Sequence, residues 1–145
     1  MSDLYNSPAE APLLDDVDPS LASFRVPPNS IEAESSVIGG LLLDNAAWDR
    51  VADVMDDDDC YRQEHKLIYG AIKVLINAGK PADVITVFEH LQGKGEAHNI
   101  GGLAYLNTLA QYVPSATNIR RYAEIVRERA ILRRLISASN DISTA

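Results

Sequence analysis

Val26-Pro27-Pro28-Asn29-Ser30-Ile31-Glu32-Ala33-Glu34, running on into Val37-Ile38-Gly39-Gly40-Leu41-Leu42-Leu43-Asp44-Asn45, is where the chain enters its first packed helix. The paired prolines cannot extend a preceding helix and hold the incoming backbone extended. Asn29 or Ser30 then offers an N-cap oxygen. Asn29 with Glu32 has the capping-box spacing, and Glu32 and Glu34 suit the positive end of the helix dipole. Ile31, Ile38 and Leu42 share one stripe, which Val37 and Leu41 widen. Gly39 and Gly40 are out of place inside a helix, where each costs roughly 1 kcal/mol relative to Ala. Close approach of another helix across the bare backbone would offset that cost.

Upstream, residues 1–25 show no sustained period and carry Pro8, Pro12 and Pro19. Every charge before Arg25 is acidic: Asp3, Glu10, Asp15, Asp16 and Asp18. This composition predicts a disordered leader, dispensable for folding. Downstream the signals are helical. Asp44 or Asn45 caps a short second helix with Trp48, Val51, Ala52 and Met55 on its inner face. The run Asp56-Asp57-Asp58-Asp59 ends it and reads as a solvated loop, since four adjacent carboxylates repel one another at the negative end of a helix. A third helix spans about Arg62 to Ala78, with Ile68, Ile72 and Leu75 inward, Gly79 at its C-terminus and Pro81 blocking continuation. Asp83 caps a fourth, whose Val84, Val87, Phe88 and Leu91 follow the amphipathic spacing; Gly93-Lys94-Gly95 closes it. Gly101-Gly102 opens a fifth, with Leu103, Leu106, Leu109, Ala110 and Val113, which Pro114 stops. Thr117 or Asn118 starts the last helix. No segment reads as a strand, so the fold class is all-α: an orthogonal bundle of about six helices, the last one long.

A chain of 145 residues holds one core, and its 46% hydrophobic content is enough to build it. No window has the apolar length of a membrane span, and the N-terminus lacks the basic and apolar regions of a signal peptide. A single cysteine, Cys60, forms no internal disulfide, which fits a cytoplasmic chain. The formal net charge of −8 argues against phosphate-contacting nucleic-acid binding as the main activity. A phosphate loop needs two glycines flanking four residues, then Lys and Ser/Thr, and nothing here has that spacing. The consecutive aspartates cannot converge as a calcium loop's alternating ligands do, and Cys60 with His65 is too little for zinc. No nucleophile elbow is present. These residues give no catalytic, cofactor or metal site, although an enzyme with a carboxylate metal site at Asp56–Asp59 stays as a third reading.

The last helix is the best candidate for function. Ile119, Tyr122, Ala123, Val126 and Ala130 form one apolar stripe. Further on, Ile131, Leu132, Leu135 and Ile136 make the helix apolar on more than one side, wider than one bundle covers. Leu132, Arg133, Arg134, Leu135 and Ile136 are therefore the candidate protein interface, with Arg133 and Arg134 placed to meet an acidic partner. A free-standing helical nucleic-acid-binding protein, using Arg120, Arg121, Arg127, Arg129, Arg133 and Arg134, is the alternative.

The opening motif, Leu43-Asp44-Asn45 with Trp48, Gly101-Gly102-Leu103-Ala104-Tyr105-Leu106, and Val113-Pro114-Ser115-Ala116-Thr117-Asn118-Ile119 leading to Tyr122-Ala123-Glu124-Ile125-Val126-Arg127-Glu128-Arg129 together resemble the N-terminal domain of bacterial replicative DNA helicases of the DnaB family. The resemblance covers nearly all of residues 26–142. It implies a helical globule over 26–117, with 118–145 starting a helical hairpin. It further implies dimerisation through such hairpins into a collar on a hexameric ring, which recruits primase and contributes to contacts with the helicase loader. ATP and magnesium would belong to a C-terminal motor domain of the parent, so this sequence is expected to be an excised, non-catalytic domain without cofactor, direct nucleic-acid contact or membrane contact.

Overall fold

The computed structural model describes residues 26–112 and 118–144, and the leader 1–25 and the expected helix stop at Pro114 lie outside them. Six α-helices are described: α1 (Ile31–Leu43), α2 (Trp48–Val51), α3 (Gln63–Asn77), α4 (Val84–Gly93), α5 (Gly102–Gln111) and α6 (Ile119–Thr144). Short 3-10 turns sit at Asn45–Ala47, Asp57–Asp59 and Ala97–Ile100. No strand occurs among the described residues.

Ser30 is the cap of α1: its hydroxyl accepts from the Ala33 amide at 3.2 Å. Asn29 instead turns its amide back to the Pro27 carbonyl at 2.9 Å, and Glu32 stays exposed, so the Asn29–Glu32 box does not form. From Ala33 to Leu42 every residue of α1 is buried, including Glu34, Ser35 and Ser36. The expected single stripe is therefore an underestimate; α1 is the central rod, touched by α3, α5 and α6. A helix buried all round needs apolar or small residues on every side, and this one has them.

The two glycines make that possible. A Cβ on Gly39 would collide with the Leu109 carbonyl and lie 3.0 Å from that of Tyr112, at the C-terminal end of α5. A Cβ on Gly40 would lie 2.9 Å from Cδ1 of Ile119, the first residue of α6. Asn45 then fixes the far end of the rod. Its amide nitrogen donates to the Leu41 and Ala82 carbonyls and its oxygen accepts from the Ala82 amide, each at 2.9 Å. This locks the turn between α3 and α4 onto α1.

Helix α2 is a single turn, so Ala52, expected inward, is exposed, while Met55 is buried from the extended segment beyond. Trp48 is partly buried against the core, its ring 5.5 Å from that of Tyr69. Asp83 caps α4 in a reciprocal box with Thr86. At the end of α3 the Lys80 amide returns to the Leu75 carbonyl at 2.9 Å, which a left-handed Gly79 allows. Helix α6 is 26 residues long, about 39 Å at 1.5 Å per residue. Its first half, through Ile119, Ala123, Val126 and Ala130, completes the core against α1 and α2.

The glycine pair yields an unequal test. Alanine favours a helix interior over glycine by roughly 1 kcal/mol. At Gly39 the obstacle is backbone, so Gly39→Ala should lose about 1–3 kcal/mol net, the usual cost of overpacking. At Gly40 the obstacle is a side-chain tip, and Gly40→Ala should stay within about 1 kcal/mol of wild type. Urea melts of both variants check this; equal effects would contradict the close-approach account.

Candidate protein-interaction face

The second half of α6 is set by one buried carboxylate. Asp59, only 1% exposed, closes the Asp57–Asp59 turn by accepting from the Asp56 amide at 2.8 Å. Its Oδ1 accepts from Arg134 at 2.7 Å and Arg127 at 3.1 Å. Arg133 donates to the Asp59 carbonyl at 2.7 Å and to the Pro28 carbonyl at 2.8 Å, and lies 5.4 Å above the Tyr61 ring. The solvated-loop reading of the aspartate run thus fails at Asp59. Asp56 and Asp58 are exposed, and the Asp56 carboxyl is held down to about 2 chiefly by the Lys73 ammonium at 2.7 Å. Burial raises its neighbour Asp57. Among the described residues no three His, Cys, Asp or Glu side chains form a metal-holding group.

Arg133 and Arg134, picked from the sequence for an acidic partner, are tied to the domain's own Asp59 loop. Arg120 likewise reaches the Arg50 carbonyl and Asp53, and Arg121 reaches Glu124 and Glu128. The arginines of α6 are largely occupied by carboxylates and carbonyls, which weighs against their use as phosphate clamps. The apolar candidates stand differently. Leu132 is 46% and Leu135 61% exposed, and Ile131 is exposed beside them, while Ile136 is half-buried. At 100° per residue, Ile131, Leu132 and Leu135 lie on the side of α6 opposite Ile119, Ala123, Val126 and Ala130. One face of the helix serves this core, and the opposite side, charged at Arg121, Glu124 and Glu128, is apolar and uncovered at Ile131, Leu132 and Leu135.

A second buried polar group escaped the sequence reading. The Glu34 carboxylate, 1% exposed in α1, accepts from the amides of Tyr61 at 2.6 Å and Arg62 at 3.4 Å, tying the chain that enters α3 to α1. It also meets Nδ1 of fully buried His65 at 2.7 Å, whose Nε2 lies 2.6 Å from the Tyr105 hydroxyl of α5. A carboxylate only accepts, so Nδ1 carries a proton, and Nε2 pairs with the Tyr105 hydroxyl. Burial pushes the Tyr105 phenol up. The chain of donors is satisfied and Glu34 and His65 are sealed from solvent, so it joins three helices instead of meeting a substrate. The signal was available: Glu34 falls three after Ile31 and four before Ile38, and His65 three before Ile68, each on an apolar stripe.

A family model described as "DnaB-like helicase N terminal domain" matches residues 26–128. The replicative DNA helicase DnaB of Pasteurella multocida is 48% identical over 118 residues, 81% of this chain and 25% of that protein. The replicative DNA helicase DnaC of Bacillus subtilis is 42% identical over 123 residues, 85% of this chain and 27% of that one. The crystal structure of the N-terminal domain of DnaB helicase from Mycobacterium tuberculosis matches with a TM-score of 0.79 at 42% identity, over 81% of this chain and 86% of that chain. The chain spans about a quarter of the length of the curated relatives it matches.

Asp59→Asn keeps the shape of the side chain and removes the charge that two arginines share. Hydrogen bonds to charged groups contribute about 1.5–3 kcal/mol, so the variant should lose about 2–3 kcal/mol. Amide exchange from Arg127 to Ser137 should accelerate while Ile38 to Leu42 stays protected. A loss under about 0.5 kcal/mol with unchanged exchange would show that packing alone seats the helix.

Proposed function

The chain belongs to the DnaB-like helicase N-terminal domain family, and from that premise we propose that it is the non-catalytic collar domain of a hexameric replicative DNA helicase. Its work in this reading is to pair subunits, so that the ring assembles, and to dock primase and the helicase loader. The observation that carries the proposal is the outer stripe Ile131, Leu132 and Leu135, apolar and exposed on a helix whose other face is already used. Burying such a side chain from full exposure contributes roughly 1.5–3 kcal/mol, and these three, 42–61% exposed, have about half of it still to gain, so a second copy of the same helix is a favourable occupant. Hexamer assembly and the primase and loader contacts rest on the family resemblance; the stripe supports only the pairing.

In this reading, and as the family resemblance implies, ATP hydrolysis with magnesium as its metal belongs to another part of the parent protein; the 145 residues themselves contain no phosphate-loop spacing. Stoichiometric ATP binding in calorimetry would contradict that assignment. Among the described residues no helix is long and apolar enough to cross a membrane, and a cytoplasmic location is part of the proposal.

Leu132→Asp combined with Leu135→Asp tests the pairing. Both positions are exposed, so α1 to α5 should keep their circular dichroism and melting behaviour. Sedimentation across concentration should show wild type moving from monomer toward dimer and the double variant remaining monomer. Identical monomeric sedimentation of both proteins would place the interface elsewhere.

A further inference from the structure

The chain has four lysines, Lys66, Lys73, Lys80 and Lys94, and they gather on one side of the bundle. Lys66, Lys73 and Lys94 line a groove of about 300 Å³ between α3 and the end of α4. Lys80 is close enough to His90, on the groove wall, to add to burial and Lys94 in lowering the imidazole pKa. Lys73 is paired with Asp56 and Asp57. Among the described residues the ammonium groups of Lys66, Lys80 and Lys94 have no ion pair or hydrogen bond, in contrast to the arginines of α6. Of the acids in the groove, Asp57 is paired with Lys73, and Glu96 accepts from the Asn99 amide and keeps its charge, which leaves Lys66 and Lys94 in excess over it. Its floor is apolar, formed by Leu67, Ala71, Leu91 and the 47% exposed Val74 beside bare Gly70. A cationic rim over an apolar floor, on a chain of net charge −8, fits a short segment that mixes apolar and acidic residues.

The sequence contains such a segment in Leu13-Leu14-Asp15-Asp16-Val17-Asp18, and residues 1–24 hold five carboxylates and no basic residue. Its point of entry is also on that side. The Pro28 carbonyl is held by Arg133. Arg133 lines a second cavity together with Lys66, and Lys66 is also part of the groove. Asp18 lies eight residues before Val26, a reach of up to about 28 Å.

We propose that the α3–α4 groove is a docking site for the chain's own segment Leu13–Asp18, with its leucines and Val17 on the floor around Val74 and its carboxylates against Lys66 and Lys94. This goes beyond the collar reading and stands without it. Exposed charge pairs are weak and screened by salt, so the contact is reversible and the leader remains dispensable for folding. A docked leader would make the lysine face switchable, because an acidic segment from another protein would have to displace it.

Nitrogen-15 spectra of the full 145-residue chain test the proposal, with wild type set against Asp15→Asn, Asp16→Asn and Asp18→Asn combined. Amide shifts should differ at Lys66 to Val74 and at His90 to Glu96, and the difference should fade at about 0.5 M salt, where the screening length is only a few ångströms. The charged groups that act on His90 are Lys94 and Lys80, and Lys66, Lys73, Asp57 and Glu96 share the groove lining with it. Added carboxylates would offset the lysines, so His90 should titrate at a higher pH in wild type than in the triple variant. Lys66→Glu with Lys94→Glu, both surface changes, should move the Leu13–Asp18 resonances to the positions they take in an isolated peptide of residues 1–25. Differences confined to residues 1–25, with His90 unchanged, would overturn the proposal. So would a groove that answers only to added peptide and never to the attached leader, an outcome that points to an acidic segment of another protein.

Discussion

The fold depends on a central helix, α1, that has no solvent face. Burying a rod on all sides is possible only if neighbours reach its backbone, and Gly39 and Gly40 provide that access to the end of α5 and the start of α6. It also forces Glu34 into the interior. An isolated buried carboxylate is severely penalised, so the groups that satisfy it must arrive with it. The N-terminus of α3, His65 and, through His65, Tyr105 of α5 are those groups. One buried carboxylate therefore couples the placement of three helices, and loss of any partner would leave the others unsatisfied.

Asp59 repeats the arrangement at the edge of the bundle, where it aims α6. The two cationic residue types divide accordingly. Arginine's planar fork suits carbonyls and carboxylates at fixed angles, and the arginines of α6 are used that way. The lysines, compact and strongly hydrated, stay unpaired apart from Lys73 and line the groove between α3 and the end of α4. An acidic chain thus presents one apolar stripe and one basic groove on different elements.

Local rules made much of this legible in the sequence. Asp83 before an amphipathic run and Gly79 after one are caps whose partners lie within a few residues, so spacing alone locates them. The number of helices, the enclosed glycine pair and the second apolar side of α6 follow from the same periodicities. Tertiary partners were not legible. Asp59 reads like its three neighbours until Arg127 and Arg134 arrive from about seventy residues away. For the same reason Arg133 and Arg134 read as outward-facing contacts. Ala52 fits a helical period that the single turn of α2 does not sustain. Glu34 and His65 broke the apolar pattern visibly, but nothing local says that the two meet.

The central claim is that α6 has two working faces, one for its own core and one for a second copy. Leu135→Cys tests it directly. The native Cys60 is fully buried and burial pushes its thiol well above the usual range, so it will not compete under mild oxidation. Val74→Cys, on the groove side at 47% exposure, is the control. The account predicts that Leu135→Cys forms an intermolecular disulfide dimer at protein concentrations where Val74→Cys stays monomeric. Equal cross-linking of both variants, or none at Leu135→Cys, would contradict it.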